Sequence, residues 1–155
     1  PERVVEIVNT VGLKGAQLHG SESPEATRWV AERVGVTIKA FSAGERAISN
    51  AADYHADVVM LDAPSPGSGK VFDWRLAEGV VDGSRLLLAG GLDPVNVGEA
   101  IARVHPWGVD VSTGVEVRPG RKDPRKLRAF IAAARAATPP EYEGDDAAPY
   151  DWQEG

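Results

Sequence analysis

The feature that most constrains the fold is a regular alternation of short, unbroken apolar runs with amphipathic stretches. Val58-Val59-Met60-Leu61 and Leu86-Leu87-Leu88-Ala89 are the clearest runs, and each leads into a polar, glycine- or proline-bearing turn. A strand with one wet face alternates apolar and polar residues, whereas a continuous apolar run marks a strand covered on both faces. Five such strands are predicted, over 16–18, 37–41, 58–62, 86–89 and 109–112. Six helical patterns are interleaved with them: 1–12, 23–34, 44–54, one from residue 73, 94–104 and 124–137. The helix ends are marked in the ordinary ways. Val4, Ile7, Val8 and Val11 form one apolar face before Gly12, Ser23-Pro24-Glu25 opens the second helix, and Pro94 and Pro124 suit first turns. Strand–helix alternation of this kind implies a parallel sheet with crossover helices.

Composition bounds the rest. At 155 residues, 43% hydrophobic and 26% charged, the chain is expected to be one soluble globular domain with a sizeable core. No apolar run reaches the ~20 residues that span a bilayer, and the first ten residues lack a basic-then-apolar signal pattern, so a cytoplasmic location and no membrane partner are expected. The absence of cysteine excludes a disulfide framework, a thiolate metal site and a cysteine nucleophile within these residues. The net charge of −6 has one source: Glu141, Glu143, Asp145, Asp146, Asp151 and Glu154 lie in a tail without Lys or Arg. Setting those six aside from the 23 acids leaves as many acids as the 17 bases, so the body has no cationic excess to bind a nucleic-acid backbone. The expected organisation is a folded domain over 1–137 and an acidic, disordered tail over 138–155.

The chemistry-bearing residues gather where the last two strands end. Ala89-Gly90-Gly91-Leu92-Asp93-Pro94 joins a buried strand to a helix through two glycines, which let backbone N–H groups approach an anion closely. The next strand ends in Asp110-Val111-Ser112-Thr113-Gly114, followed by Pro119-Gly120-Arg121-Lys122-Asp123. Two adjacent donor-rich strand ends suit a phosphate monoester. In a doubly wound sheet the phosphate loop usually follows the first strand, whereas a (β/α)8 TIM barrel often holds phosphate after its seventh and eighth strands. The glycine-rich ends come last here, which favours the barrel. With five strands and a helix at its start, the chain would supply about five βα units, strands four to eight. Gly67-Ser68-Gly69-Lys70 does not complete a P-loop, because Pro64 stands at the earlier glycine position and Val71 replaces the metal-binding hydroxyl. His55 and His105 are expected to be solvated at helix ends, and Glu116 and Arg118 to pair on the surface or orient their loop.

In these residues the sequence resembles phosphoribosylanthranilate isomerase. The shared segments are QLHG at 17–20, LD at 61–62, PGSGKVFDW at 66–74, AGGLDPVNV at 89–97, and GVDVSTGVE with PGRKD within 108–123, all in register. The resemblance implies a TIM barrel of tryptophan biosynthesis, without metal or cofactor, that converts N-(5-phosphoribosyl)anthranilate to 1-(2-carboxyphenylamino)-1-deoxyribulose 5-phosphate. That Amadori rearrangement needs an acid to protonate the furanose ring oxygen, a base to take the proton from C2, and anchors for phosphate and carboxylate. By resemblance Asp62 is the general acid, Asp110, Gln17 and His19 line the substrate, and Gly90, Gly91, Ser112, Thr113 and Gly114 hold the phosphate. The segment at 66–74 reads as a loop over the substrate. The sequence departs from the family in Ser65-Pro66 before Gly67 and in Thr113 where Ser is common. The larger departure is that the family's general base, a cysteine in a Lys-x-Cys-Gly strand, and its early carboxylate-binding arginine have no counterpart here. The expected chain therefore lacks strands one to three, turns over poorly alone, and either self-associates or is complemented by those strands. Two rival readings are a related phosphate-binding barrel enzyme, such as indoleglycerol-phosphate synthase or an imidazole-pathway isomerase, and a non-catalytic phosphosugar-binding or assembly module.

Overall fold

The computed structural model describes residues 1–42, 46–62 and 85–138. The first helix, α1 (Glu2–Val11), ends at Gly12, whose left-handed backbone (φ 76°) returns an N–H to the Val8 carbonyl. Strand β1 (Gly15–Leu18) follows, then α2 (Pro24–Ala31), opened by Ser23, whose hydroxyl accepts from the Ala26 amide at 3.2 Å. Strands β2 (Val36–Ser42) and β3 (Val58–Asp62) flank a short helical connection over Arg46–Tyr54. Then come β4 (Arg85–Ala89), α3 (Val97–Val104) and the two-residue β5 (Gly108–Val109). A small hairpin of β6 (Glu116–Arg118) and β7 (Arg121–Lys122) precedes α4 (Pro124–Ala137), which Asp123 caps through the Arg125 and Lys126 amides.

The five main strands pair only in parallel, and their spatial order, β1-β2-β3-β4-β5, is their chain order. Right-handed crossovers between consecutive parallel strands all pass over the same face. A doubly wound sheet would show a reversal of strand order, and none occurs among the described strands. Among the described residues, α3, α4 and the 46–54 segment pack on the face that carries Phe41, Leu61 and Leu88.

Register assigns the side chains to the two faces. Phe41, Leu61 and Leu88 stand in line on the helix side, each at 0% exposure. Around them, Val97, Ala100 and Ile101 from α3 and Phe130 from α4 close the main core. Full burial of one such Leu or Phe stabilises by about 1.5–3 kcal/mol, so this layer dominates the fold's stability. The opposite face carries a smaller cluster, Ala40, Met60 and Ala89, with Ile38 and Leu87 only half-buried. That face ends upward in Asp62, paired in register with Ser42 and Ala89.

Three sequence expectations change in detail. In place of the continuous helix expected over 44–54, the described residues 46–54 form 3₁₀ turns broken at Asn50 (φ −119°, ψ 28°), where Ser49 and Asn50 are weaker helix formers than alanine. The helix expected from Pro94 is regular only from Val97; before it Asp93 caps a first turn, its side chain accepting from the Val95 and Asn96 amides at 2.7 and 3.0 Å and its carbonyl from the Val97 amide at 3.1 Å. The strand expected over 109–112 shortens to Gly108–Val109, although the Asp110 amide still reaches the Leu88 carbonyl at 2.8 Å. Of these, only the last moves candidate residues: Ser112 lies on the loop beyond the strand. The substrate loop over 66–74, the helix from residue 73 and the acidic tail after Thr138 lie outside the described residues.

Candidate active site

The strand ends that carry the candidate residues meet at one edge of the sheet. Asp62 is the last residue of β3, His19 follows β1, Gly90 follows β4 and Asp110 follows β5. This is the carboxyl edge of a parallel sheet, where βα loops place functional groups. A cleft of about 270 Å³ opens there, lined by Gln17, His19, Asp62, Gly90, Gly91, Asp110, Ser112, Thr113 and Gly114. All nine residues singled out in the sequence thus share one concavity. Met60, Ala89, Leu92 and Val111 complete the lining. Met60 was legible from period two, since it lies two residues before Asp62 and shares its face. His55 and His105 are elsewhere, exposed and left-handed (φ 51° and 48°), with His105 closing α3.

The β4–α3 turn is fixed by its own side chains. Gly90 and Gly91 both have positive φ, 79° and 65°, a conformation that any Cβ would strain. Asn96 donates to the Gly91 carbonyl at 2.9 Å and accepts from the Asp93 amide at 2.8 Å, while Asp93 accepts in return. Four hydrogen bonds within seven residues hold the turn in one shape. Sequence reasoning missed this brace, whose only signal was the D-x-x-N spacing.

The second loop is fitted against the first. A Cβ on Gly114 would collide with the Leu92 carbonyl, so only glycine permits the two loops to touch. Val115, next along, is wholly buried, and its carbonyl accepts from the Asp123 amide at 2.7 Å. Ser112, Thr113 and Gly114 therefore stand beside Gly90 and Gly91 on a base tied to α4. Lys122 adds a bond to the Ser112 carbonyl at 2.9 Å and another to Glu116 at 3.0 Å. The Lys122 hydrogen bond is the main cause that holds the Glu116 carboxyl below the ordinary carboxylate range.

Across the cleft the groups are side chains rather than backbone. His19 Nε2 lies 3.3 Å from Asp62 Oδ2, and its Nδ1 is 3.2 Å from the Gln17 amide nitrogen, which also touches Met60 Sδ at 3.4 Å. His19 and Asp62 keep 48% and 35% of their side chains in solvent, so both are open to a ligand. The loop bearing His19 is anchored beneath by Lys39. That side chain is 2% exposed and donates to the Gly20 and Ala40 carbonyls (2.8 and 3.1 Å) and to Glu22 at 3.0 Å. Burial pushes the Glu22 carboxyl up, but the hydrogen bond and charge of Lys39, with the backbone amides, outweigh it and leave the group below its ordinary value.

The arrangement offers a carboxyl and an imidazole on one side of the cleft and glycine- and hydroxyl-bearing loops on the other. Comparison with known proteins agrees with that chemistry. A family model described as N-(5'phosphoribosyl)anthranilate (PRA) isomerase matches residues 1–133. The N-(5'-phosphoribosyl)anthranilate isomerase of Desulforudis audaxviator is 49% identical over 144 residues, 88% of this chain and 69% of the relative. That of Citrifermentans bemidjiense is 48% identical over 132 residues, 82% and 63% of the respective chains. The phosphoribosyl anthranilate isomerase structure from Thermotoga maritima superposes with a TM-score of 0.76 at 42% identity, covering 88% of this chain and 68% of that one. A related isomerase structure holds reduced 1-(o-carboxyphenylamino)-1-deoxyribulose 5-phosphate and matches with a TM-score of 0.74 at 39% identity. The chain thus spans roughly two thirds of the length of its relatives, and its five-stranded sheet is part of a TIM barrel.

Proposed function

The chain belongs to the N-(5'-phosphoribosyl)anthranilate isomerase family, and from that premise we propose that it supplies the phosphate anchor and the general acid for the Amadori rearrangement of N-(5-phosphoribosyl)anthranilate. The observation that carries the proposal is the convergence of nine residues from four strand ends on one cleft. Gly90, Gly91, Ser112, Thr113 and Gly114 receive the phosphate through backbone amides and hydroxyls. With the phosphate fixed there, the sugar extends across the cleft toward Asp110 and Asp62. Asp62 donates its proton to the furanose ring oxygen as the C1–O bond breaks, leaving an iminium at C1. Loss of the C2 proton to a base then gives the enamine, which tautomerises to the ketose. Gln17 and His19 line the same path, and the 3.3 Å contact lets His19 orient the Asp62 carboxyl.

The chain contains no cysteine, so a family-type cysteine base comes from a segment outside these 155 residues. The exposed strand edge of β1 and the half-buried Ile38 and Leu87 of the inner face are where additional βα units, or a second copy, would pack. The working compartment of such an enzyme is the cytoplasm; no described helix is long and apolar enough to cross a membrane.

Calorimetric titration of the chain with reduced 1-(o-carboxyphenylamino)-1-deoxyribulose 5-phosphate tests the anchor, and mixing with a fragment that supplies the preceding barrel strands tests the reaction. Expected are binding by the chain alone and isomerisation only in the mixture. Binding without turnover at any mixing ratio would favour a phosphosugar-binding module, and no binding at all would overturn both readings.

A further inference from the structure

The second phosphate loop is held from behind by a residue that the cleft does not include. Lys122 lies on β7, ten residues after Ser112, and its ammonium donates to the Ser112 carbonyl at 2.9 Å. Ser112 and Thr113 line the cleft and Lys122 does not, so the Ser112 carbonyl points out of the cleft toward the hairpin. In a planar trans peptide the C=O and the following N–H point in opposite directions. Fixing that carbonyl outward therefore turns the Thr113 N–H to the opposite side, toward the cleft that Thr113 lines. Among the described hydrogen bonds none is donated by the Thr113 amide, and the Val115 amide makes only a long 3.5 Å contact with the same Ser112 carbonyl.

Glu116 holds Lys122 in place. One of its carboxylate oxygens accepts from Lys122 at 3.0 Å and the other from the Gly120 amide at 3.2 Å, while its own carbonyl accepts from Lys126 at 2.8 Å. The Glu116 side chain is 11% exposed, against 44% for Lys122, so the pair has a fixed base and a partly solvated head. An isolated exposed ion pair contributes little. This one differs because the ammonium also closes a bond to the backbone of the anion loop.

Resting on the isomerase reading, we infer that Lys122, braced by Glu116, is a positioning residue for the phosphate: it sets the Ser112–Thr113 peptide so that the Thr113 amide is presented to the phosphoryl oxygens. It does not touch the ligand. Its formal charge, close behind the loop, also raises the positive potential that the phosphate meets.

The test compares Lys122→Met, Lys122→Arg and Arg121→Gln with the unaltered chain. Calorimetry gives the Kd for reduced 1-(o-carboxyphenylamino)-1-deoxyribulose 5-phosphate, and amide NMR reads the Thr113 shift on titration with inorganic phosphate. Lys122→Met is expected to weaken the phosphate ester about tenfold and to remove the Thr113 response while leaving the thermal midpoint within a degree or two. Lys122→Arg is expected to restore most of both. Arg121→Gln, which removes a neighbouring charge with no bond to the loop, is expected to change affinity less than threefold. Equal losses in Lys122→Met and Arg121→Gln would reduce the effect to bulk charge and overturn positioning, as would an unchanged Thr113 response in Lys122→Met. Should Lys122→Met unfold, Lys122→Arg decides: failure to restore the Thr113 response would overturn the inference. Failure of the unaltered chain to bind the ester is a separate result and counts against the isomerase reading instead.

Discussion

The two sides of the cleft are built on different principles. At the β4–β5 side the lining groups are loop backbone with the short side chains of Asp110, Ser112 and Thr113, shaped by Gly90, Gly91 and Gly114 and braced by Asp93, Asn96 and Lys122. At the β1–β3 side they are the half-open side chains of His19 and Asp62, joined by one 3.3 Å contact. An anion that must be held in a single place suits a rigid cradle of amides. A group that must give up a proton needs access and freedom instead. On the proposed reading, the difference sets a braced anchor beside a reactive end that is left open.

The strongest way to break this comparison is Asp62→Asn, tested in the complemented enzyme. The amide keeps the shape but cannot donate an acid proton, so kcat should fall by about 10²–10⁴-fold while ligand affinity changes little. If Asp62→Asn lost affinity as steeply as turnover, the reactive side would be an anchor as well, and the division of labour would fail.

Gly114→Ala attacks the opposite side. Its Cβ would collide with the Leu92 carbonyl, so one of the two loops has to shift by about an ångström. A displacement of that size at a positioning site is expected to weaken phosphate-ester binding by about 100-fold. The sheet and helices should still form, although Leu92 and Val115 belong to the main core, so a loss of thermal stability is expected alongside. Titration calorimetry together with far-ultraviolet circular dichroism separates the two results: retained fold with retained affinity would show that the loops need not touch.

Much of this was legible before any coordinates. The apolar runs at 58–61 and 86–89 announced covered strands because a residue with no polar side chain carries its burial in its identity, and the helix starts at Ser23-Pro24 and at Pro124 follow from local chemistry alone. Of the nine cleft residues, the Gly90-Gly91 and Ser112–Gly114 ends were legible from their glycines and hydroxyls at strand ends, whereas Gln17, His19, Asp62 and Asp110 were named through the family resemblance. What stayed hidden was long-range or competitive. Nothing near Lys39 indicated that a lysine in a strand would be fully buried, since its partners Gly20 and Glu22 are set by tertiary pairing of β1 with β2. The late start of α3 was hidden because the Asn96 side chain turns back to the Asp93 amide and the Gly91 carbonyl, a pairing set by the glycine turn before it. The length of β5 was overestimated because Val111 looks like a strand residue although the chain has already turned into the loop that lines the cleft.

Glu22→Gln probes how the open side is supported. The substitution leaves Lys39, 2% exposed, with two carbonyls and no counter-charge, which is expected to cost about 2 kcal/mol of folding stability. The sign of the pH dependence follows from the lowered Glu22 carboxyl. Its contribution is complete above the ordinary glutamate value and is lost as the pH falls through the lower folded value. The gap in thermal midpoint between Glu22→Gln and the parent should therefore be widest near neutrality and close in acid. A gap that stayed constant with pH would assign the loss to packing rather than charge.

The smallest expected effect bears most directly on how rigid the anchor is. Asn96 binds the Gly91 carbonyl and the Asp93 amide, so Asn96→Ala removes two hydrogen bonds at once. Neither partner is deeply buried, and water replaces much of what is lost, so the stability cost is expected to be about 1 kcal/mol. For affinity the two views of the turn diverge. If Gly90 and Gly91 hold their left-handed conformations by themselves, phosphate binding survives the substitution within about twofold. If the side-chain brace is what keeps the turn in one shape, the free turn samples several, and affinity falls in proportion to the competent fraction. A loss of about fivefold with unchanged binding enthalpy, measured by calorimetry, would show that the anchor is preorganised by Asn96. Equal affinity would place that preorganisation in the two glycines and in the contact of Gly114 with Leu92.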